Sequence, residues 1–279
     1  MRNLNKKDAL RVYVGDTRQR DENGSIIEDK YLDEIYCDEQ LYKTLNVLMF
    51  EGIENEIIRR KEGTEFNIEL LRKPELILDI YCDLLDLAFE SSAAEKETKV
   101  YRYDRKNSIR QLEKGYTKSF FSTSKGMARS EFSYKIEVVE MEIKICPGVY
   151  CIDVEAVLGG EYNRGEAEVL IPPFAPIDIV EEDTHRKGLG VDKRYLINVK
   201  PQCFIPEDIN NDIQILRKSL CNSERIRNIC DDLKRINDGE SDETAVKCYI
   251  EWKSDFQELI KKICNIKLNN VVKNKKENN

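Results

Sequence analysis

The sequence has very little histidine: His185 is the single one among 279 residues. Its nine cysteines include no C-x-x-C pair, and the two closest, Cys146 and Cys151, flank a Pro-Gly turn. Zinc sites are usually built from paired cysteine and histidine ligands, so we predict no metal centre. Reduced and mostly buried cysteines are typical of a protein made in the cytoplasm.

Long apolar runs are also missing. No stretch approaches the run of about 20 apolar residues that a membrane-spanning helix needs. The N-terminal stretch MRNLNKKDALRVYVGD lacks the apolar segment of a secretory signal peptide. A net charge of −8 argues against a nucleic-acid coat protein, although a local basic groove remains open. We therefore expect a cytoplasmic location where the protein is made, with signal-independent delivery into another cell left open.

The spacing of apolar residues divides the chain into three parts. Residues 1–95 are predicted to be mostly helical after a polar, loop-like start to about residue 30, with Pro74 opening one helix. Residues 96–205 are rich in short β-branched and aromatic runs, separated by glycine and proline. Residues 206–279 return to helical spacing and end in a basic tail, NNVVKNKKENN, that we expect to be frayed.

The middle part is predicted to form a sheet. Few helical patterns lie between its strands, which favours an antiparallel or mixed sheet and an α+β fold with a helical N-terminal part and a helical C-terminal extension. The predicted strands are 99–103, 119–123, 134–145, 149–154, 166–171, 177–181 and 195–199.

Three stretches of this β-rich part carry residues suited to one chemistry. They are VYR at 100–102, FFSTS at 120–124 and EAE at 166–168. Alternation along a strand would place Glu166 and Glu168 on one face. Arginine binds phosphate with a planar fork, a serine hydroxyl donates and accepts, and a carboxylate can stabilise a developing positive charge. Each stretch alone is an ordinary strand feature, but together they suit an anionic ligand that carries hydroxyl groups.

In this order the three stretches resemble the R-S-E signature of the cholera-toxin-like, arginine-type class of mono-ADP-ribosyltransferases. The resemblance covers residues 95–200 and includes the apolar run and prolines of EAEVLIPP. It implies an ADP-ribosyltransferase-like split β-sheet core, with residues 96–205 as the NAD-binding catalytic part. It also implies cleavage of the nicotinamide–ribose bond of NAD+ through an oxocarbenium-like transition state, and transfer of ADP-ribose to an acceptor. NAD+ would be a co-substrate, and no metal would be needed.

The resemblance also implies roles for the motif residues. Glu168 would be the catalytic glutamate that holds the ribose, and Glu166 would orient or deprotonate the acceptor. Arg102 would contact phosphate and ribose, and Ser122 would position Glu168 and bind the ribose. The remaining positions on the cofactor side are Tyr103, Thr123, Ser124, Arg129 and Phe132. The family often has glycine where this chain has Tyr103, so the wall of the pocket is expected to differ.

The acceptor is left open by the motif, although E-x-E with glutamate first favours a protein arginine. Tyr162, in the loop before E-x-E, is a candidate for acceptor recognition. The alternatives are RNA, DNA or a small molecule as acceptor, water as acceptor in an NAD glycohydrolase, and a degenerate fold used only for binding. The C-terminal helices could bind an antitoxin, immunity or adaptor protein. A role as an injected effector, a toxin–antitoxin component or a phage-type modifier is equally open.

Overall fold

The computed structural model describes residues 5–15, 18–20, 26–28, 41–50, 68–105, 109, 112, 114–126, 138–159, 167–182, 191–203, 210–239 and 243–277. The chain forms two compact units. One is Leu87–Phe204, and the other combines Met1–Asp86 with Ile205–Asn279. Within the described ranges, no helix is both long and apolar enough to cross a membrane.

A seven-stranded sheet dominates the unit Leu87–Phe204. Its members are β3 (Thr98–Arg105), β4 (Phe121–Ser124), β5 (Val138–Ile145), β6 (Ile152–Asp153), β7 (Glu168–Ile171), β8 (Ile177–Glu182) and β9 (Val191–Val199), with helix α5 (Val154–Leu158) after β6. The strand order is β6-β7-β4-β3-β5-β9-β8. β5 and β9 are parallel, and the other neighbours are antiparallel. The predicted α+β fold with a mixed sheet is confirmed.

One face of this sheet carries the apolar core of the unit. Alternate residues of neighbouring strands point to the same side because side chains in a strand have a period of two. Burying these residues is the main stabilising contribution to the sheet. They include Val100, Val139, Met141, Ile143, Val169, Ile171, Ile197 and Val199.

The described residues of the other unit are mostly helical. Its elements are α1 (Lys6–Val14), the hairpin β1 (Arg18–Arg20) and β2 (Ile26–Glu28), α2 (Leu41–Met49), α3 (Ile68–Leu71), most of α4 (Pro74–Glu90), α6 (Asn210–Leu220), α7 (Ser223–Asn237) and α8 (Glu243–Glu277). Helix α4 begins at Pro74 as predicted, because proline has no N–H to lose at the first helical position.

The C-terminal helices share a core with the N-terminal ones. Trp252 of α8 is 1% exposed, stacks on Phe256, and donates from Nε1 to the carbonyl of Leu220 at 3.2 Å. Phe256 in turn meets the ring of Tyr81 from α4 edge to face. Gln257 donates to the carbonyl of Leu48 in α2 at 2.8 Å. The apolar side of α8 is therefore packed within this unit.

The prediction of a loop-like start was wrong over Lys6–Val14, because a local helix signal acts there. Helix α1 lies in the region expected to be loop-like, and Asn5 and Asp8 form a capping box at its start. Such a box satisfies two of the unpaired N–H groups at a helix start. At the other end of the chain, α8 continues to Glu277. Buried Leu268 and the ion pair between Lys267 and Asp86 hold the helix just before the tail, whose fraying stays a prediction.

The strand predicted over 149–154 was also wrong at its end. The observed strand is only Ile152–Asp153, and the chain then turns into α5. The Asp153 carboxylate accepts from the N–H of Ala156 at 3.2 Å, which caps the helix. An aspartate in this position competes with strand continuation because its side chain supplies the first turn with an acceptor.

Candidate active site

The three motif residues lie on three adjacent strands of the sheet. Arg102 is on β3, Ser122 is on β4, and Glu168 is the first residue of β7. β3 pairs with β5 at eight positions, but with β4 only at Tyr101 and Ser124 among the described residues. Arg102 and Ser122 both lie beyond that pair, so they border the place where β3 and β4 separate.

Ser122 holds the carboxylate of Glu168. The Ser122 hydroxyl donates to Oε1 of Glu168 at 2.5 Å, and Glu168 is 9% exposed. The pairing of Ser122 with Leu170 and of Ser124 with Glu168 aligns the two strands for this contact. A short bond to a buried carboxylate is strong, so one oxygen of Glu168 has a fixed position.

Arg102 contacts the backbone of the same serine. Its Nη1 donates to the Ser122 carbonyl at 2.7 Å, and its guanidinium carbon lies 4.9 Å from the centre of the Phe121 ring. Its Nε and Nη2 both donate to Oδ2 of Asp104, at 2.8 and 2.5 Å. Ser122 therefore connects the arginine to the glutamate, through its carbonyl on one side and its hydroxyl on the other.

The neighbours of Ser122 in the S-T-S stretch have local contacts. Thr123 is buried, and its hydroxyl donates to the carbonyl of Val169 at 2.8 Å. The Ser124 hydroxyl accepts from the N–H of Gly126 at 3.2 Å. Tyr103 follows Arg102 on β3 and is partly buried. The Thr123 contact holds β4 against β7. The roles of Thr123, Ser124 and Tyr103 in cofactor binding stay predictions.

The strand predicted over 166–171 begins two residues later than expected. Ala167 has φ of 44°, in the left-handed region, and β7 starts at Glu168. Strand alternation therefore does not extend back through Ala167, and it gives no basis for placing Glu166 on the face of Glu168. The N–H of Lys125 donates to the Ala167 carbonyl at 3.0 Å, which holds the turn beside the end of β4.

Backbone strain at Ala167 can be tested by substitution. A left-handed conformation costs an L-residue about 1–2 kcal/mol, and glycine adopts it freely. We expect Ala167→Gly to leave the free energy of unfolding within about 1 kcal/mol, because relief of strain offsets the greater entropy of the unfolded chain. Ala167→Val should lower it by about 1–3 kcal/mol. Urea unfolding of both variants measures this difference, and equal effects of glycine and valine would contradict it.

The two prolines after β7 are fixed by a buried threonine. Thr117 is fully buried; its hydroxyl donates to the Pro172 carbonyl at 2.7 Å and accepts from the N–H of Ala175 at 3.0 Å. Prolines cannot continue a ladder of N–H donors, so they end the strand. Glu168 thus begins a four-residue strand whose far end is held in place.

Charged residues on the sheet face opposite the core hold the first half of β3. Glu142 of β5 accepts from Lys99 of β3 at 2.5 Å and pairs with Arg194 of β9. The hydrogen bond from Lys99 is the main cause of a lowered pKa of Glu142, and it raises the pKa of Lys99. These pairs tie the strand carrying Arg102 to its neighbours.

Four predicted site residues lie outside the described residues. They are Glu166, Tyr162, Arg129 and Phe132. Their roles in acceptor and cofactor binding remain predictions from the resemblance.

Asp104 is a further residue of the candidate site that the motif did not indicate. Asp104 binds two nitrogens of the Arg102 guanidinium, but it lies outside the three motif stretches. The signal was present, because residues two apart on a strand share a face and R-Y-D places a carboxylate beside the arginine.

The bond between Ser122 and Glu168 leads to a prediction about rate. If the chain has the NAD+-cleaving activity that the resemblance implies, Ser122→Ala should lower turnover of NAD+ by about 10- to 100-fold, because Glu168 loses the bond that fixes its Oε1. Ser122→Thr keeps a hydroxyl and should retain much of the activity. Release of nicotinamide measured by chromatography gives both rates. Equal losses in the alanine and threonine variants would contradict a role for the hydroxyl.

Several solved structures resemble this chain, and they are bacterial ADP-ribosyltransferases. A transferase from Clostridium botulinum is 16% identical, over 58% of this chain and 91% of its own, with a TM-score of 0.34. A protein from S. aureus, solved with NAD, is 12% identical over 59% and 96%, with a TM-score of 0.35. The Vis toxin from Vibrio splendidus is 16% identical over 66% and 90%, with a TM-score of 0.33.

No family model matches the chain, and no curated protein matches it. With identities below 20% and TM-scores near 0.3, the interpretation of the site depends on its own contacts.

Proposed function

We propose that this protein is a mono-ADP-ribosyltransferase that cleaves the nicotinamide–ribose bond of NAD+ and transfers ADP-ribose to a protein arginine. The observation that carries the proposal is the double contact of Ser122. Its hydroxyl holds Glu168, and its carbonyl receives Arg102. These are the arginine, serine and glutamate of the R-S-E signature.

Arg102 suits the pyrophosphate of NAD+. Contacts to Asp104 and Ser122 use three of the five N–H groups of its guanidinium. No other described residue uses the remaining two N–H groups, which can meet a phosphate oxygen, and the side chain is 27% exposed. The fork is already fixed by its neighbours, so little side-chain entropy would be lost when it binds the ligand.

Glu168 suits the cleavage step. When the bond between ribose C1′ and the nicotinamide nitrogen breaks, the electron pair leaves with nicotinamide and positive charge develops on the ribose. A carboxylate at a buried position is screened less by water and therefore stabilises that charge more strongly. The Ser122 hydroxyl fixes one of its oxygens. A carboxylate oxygen has two lone-pair positions, so the group can also accept a hydrogen bond from a ribose hydroxyl.

The second step forms a bond between C1′ and a nitrogen of the acceptor arginine. A protonated guanidinium is a poor nucleophile, so a base must take its proton as the bond forms. Glu166, the first glutamate of E-x-E, is the proposed base on the evidence of the motif. Water reaching C1′ first would instead give free ADP-ribose.

The test uses NAD+ labelled in its adenosine part and incubated with the protein and a cell lysate. We expect label on macromolecules that is removed by protease and resists nuclease, together with release of nicotinamide. Mass spectrometry should then place ADP-ribose on arginine. Glu166→Gln should abolish labelling while nicotinamide release continues.

Each other acceptor predicts a different result. Label removed by nuclease alone would identify a nucleic acid as acceptor, and free ADP-ribose without labelled macromolecules would identify a glycohydrolase. Undiminished labelling by Glu166→Gln would contradict the arginine assignment. Absence of nicotinamide release in every condition would contradict the proposed function itself.

A further inference from the structure

We propose that Asp104 is a positioning residue that orients Arg102 and reduces its effective charge toward an anionic ligand. The proposal rests on the transferase function only for its kinetic readout. Asp104 lies outside the R-S-E signature, and its carboxylate accepts from both Nε and Nη2 of Arg102 through a single oxygen.

The geometry around Arg102 leaves its guanidinium little freedom. One edge is held by Asp104, Nη1 is held by the Ser122 carbonyl at 2.7 Å, and the group lies over the Phe121 ring. Two hydrogen bonds to one carboxylate oxygen fix the direction of the guanidinium plane more tightly than one bond does. The carboxylate of Asp104 thus begins a series of contacts that continues through Arg102 and Ser122 to Glu168.

Charge gives Asp104 a second effect. The Arg102–Asp104 pair has no net charge, and its side chains are 27% and 19% exposed. A pyrophosphate approaching Arg102 therefore also meets the negative charge of Asp104 at short range, where screening by water is incomplete. Asp104 thus lowers the affinity of Arg102 for anions while it fixes the orientation of the guanidinium.

Two substitutions separate these effects. Asp104→Asn keeps an oxygen that accepts from Arg102 and removes the charge. We expect its KM for NAD+ to fall about three- to tenfold at low salt, with kcat within about twofold, and the gain should shrink at high salt. Asp104→Ala removes both the acceptor and the charge, and kcat/KM should fall about tenfold because the guanidinium is no longer oriented.

A chemical readout makes the test independent of enzymatic activity. Phenylglyoxal modifies accessible guanidinium groups, and mass spectrometry follows the modification at Arg102. We expect Arg102 to react several-fold faster in Asp104→Ala than in the wild type, with Asp104→Asn between them. Asp178→Asn is the matched control, because Asp178 pairs with Lys200 at 2.5 Å on the exposed side of β8 and should change neither readout.

The outcomes distinguish the two proposals. Unchanged reactivity of Arg102 in Asp104→Ala overturns the positioning role, whether or not the protein uses NAD+. In an active wild type, an Asp104→Asn variant whose KM equals that of the wild type overturns the charge effect. If the asparagine and alanine variants lose activity and thermal stability equally, Asp104 has only a structural role. If the wild-type protein releases no nicotinamide, the proposed function is contradicted. The reactivity of Arg102 then still tests whether Asp104 positions it.

Discussion

Replacing Glu168 with alanine is expected to lower the rate of nicotinamide release from NAD+, the first step of the proposed reaction, by about 10³-fold. The carboxylate is buried at the start of β7, and the hydroxyl of Ser122 holds it. A charge that is fixed before the reaction needs no reorganisation when the ribose becomes positive, so its removal should affect kcat much more than KM.

Two variants control this prediction. Glu168→Gln keeps the size of the side chain and an oxygen for Ser122 but removes the charge, so it should be nearly as inactive as the alanine variant. Glu97→Gln removes an exposed carboxylate that lies 3.9 Å from Lys144, and it should retain wild-type activity. Equal nicotinamide release by the wild type and Glu168→Ala would instead support a degenerate fold used for binding.

Replacing Trp252 with alanine is expected to lower the free energy of unfolding by about 3–5 kcal/mol. The side chain is 1% exposed, packs on Phe256, and donates to the carbonyl of Leu220. Its removal leaves a cavity between α6 and α8 and an unbonded carbonyl. Such a loss is a large part of the stability of a typical protein.

Trp252→Phe should be less damaging, because it keeps an aromatic ring and loses the hydrogen bond. Ile215→Ala on α6 is the surface control; this side chain is 66% exposed and should change stability by no more than about 0.5 kcal/mol. Urea unfolding followed by circular dichroism measures all three. If Trp252→Ala unfolds like the wild type, α8 is not part of the core, and a role of residues 206–279 in partner binding becomes the better explanation.

The sequence predicted the helices and strands whose signals are local. Pro74 marks the start of α4, and the alternation of Val139, Met141 and Ile143 marks a strand that buries one face. Both signals depend on residues within one or two turns or pleats of each other. The same logic failed over 149–154, because the cap supplied by Asp153 outweighs β-branched neighbours. It failed again at Ala167, because a single left-handed residue cancels the alternation on which the prediction depended.

The sequence suggested the residues of the candidate site, but the contacts between them could not be predicted from it. Arg102, Ser122 and Glu168 were identified from their order, which is a property of the chain. The bond between Ser122 and Glu168 joins positions 46 residues apart, and it exists because β7 lies beside β4. R-Y-D places Asp104 on the same strand face as Arg102, but a shared face does not by itself determine that the two side chains bond to each other.

The stretch EAEVLIPP shows which features the sequence determined and which the tertiary structure determined. The sequence by itself determined which residue types are present, their order, and the chemistry that an arginine, a serine and two glutamates can support. Only the tertiary structure decided that Glu168 begins a strand after a left-handed Ala167, and that Ser122 contacts both Arg102 and Glu168. It also decided that α8 packs with α2 and α4. The physical reason is that propensity and alternation act between close neighbours, whereas strand order and helix packing depend on burial of apolar surface by distant parts of the chain.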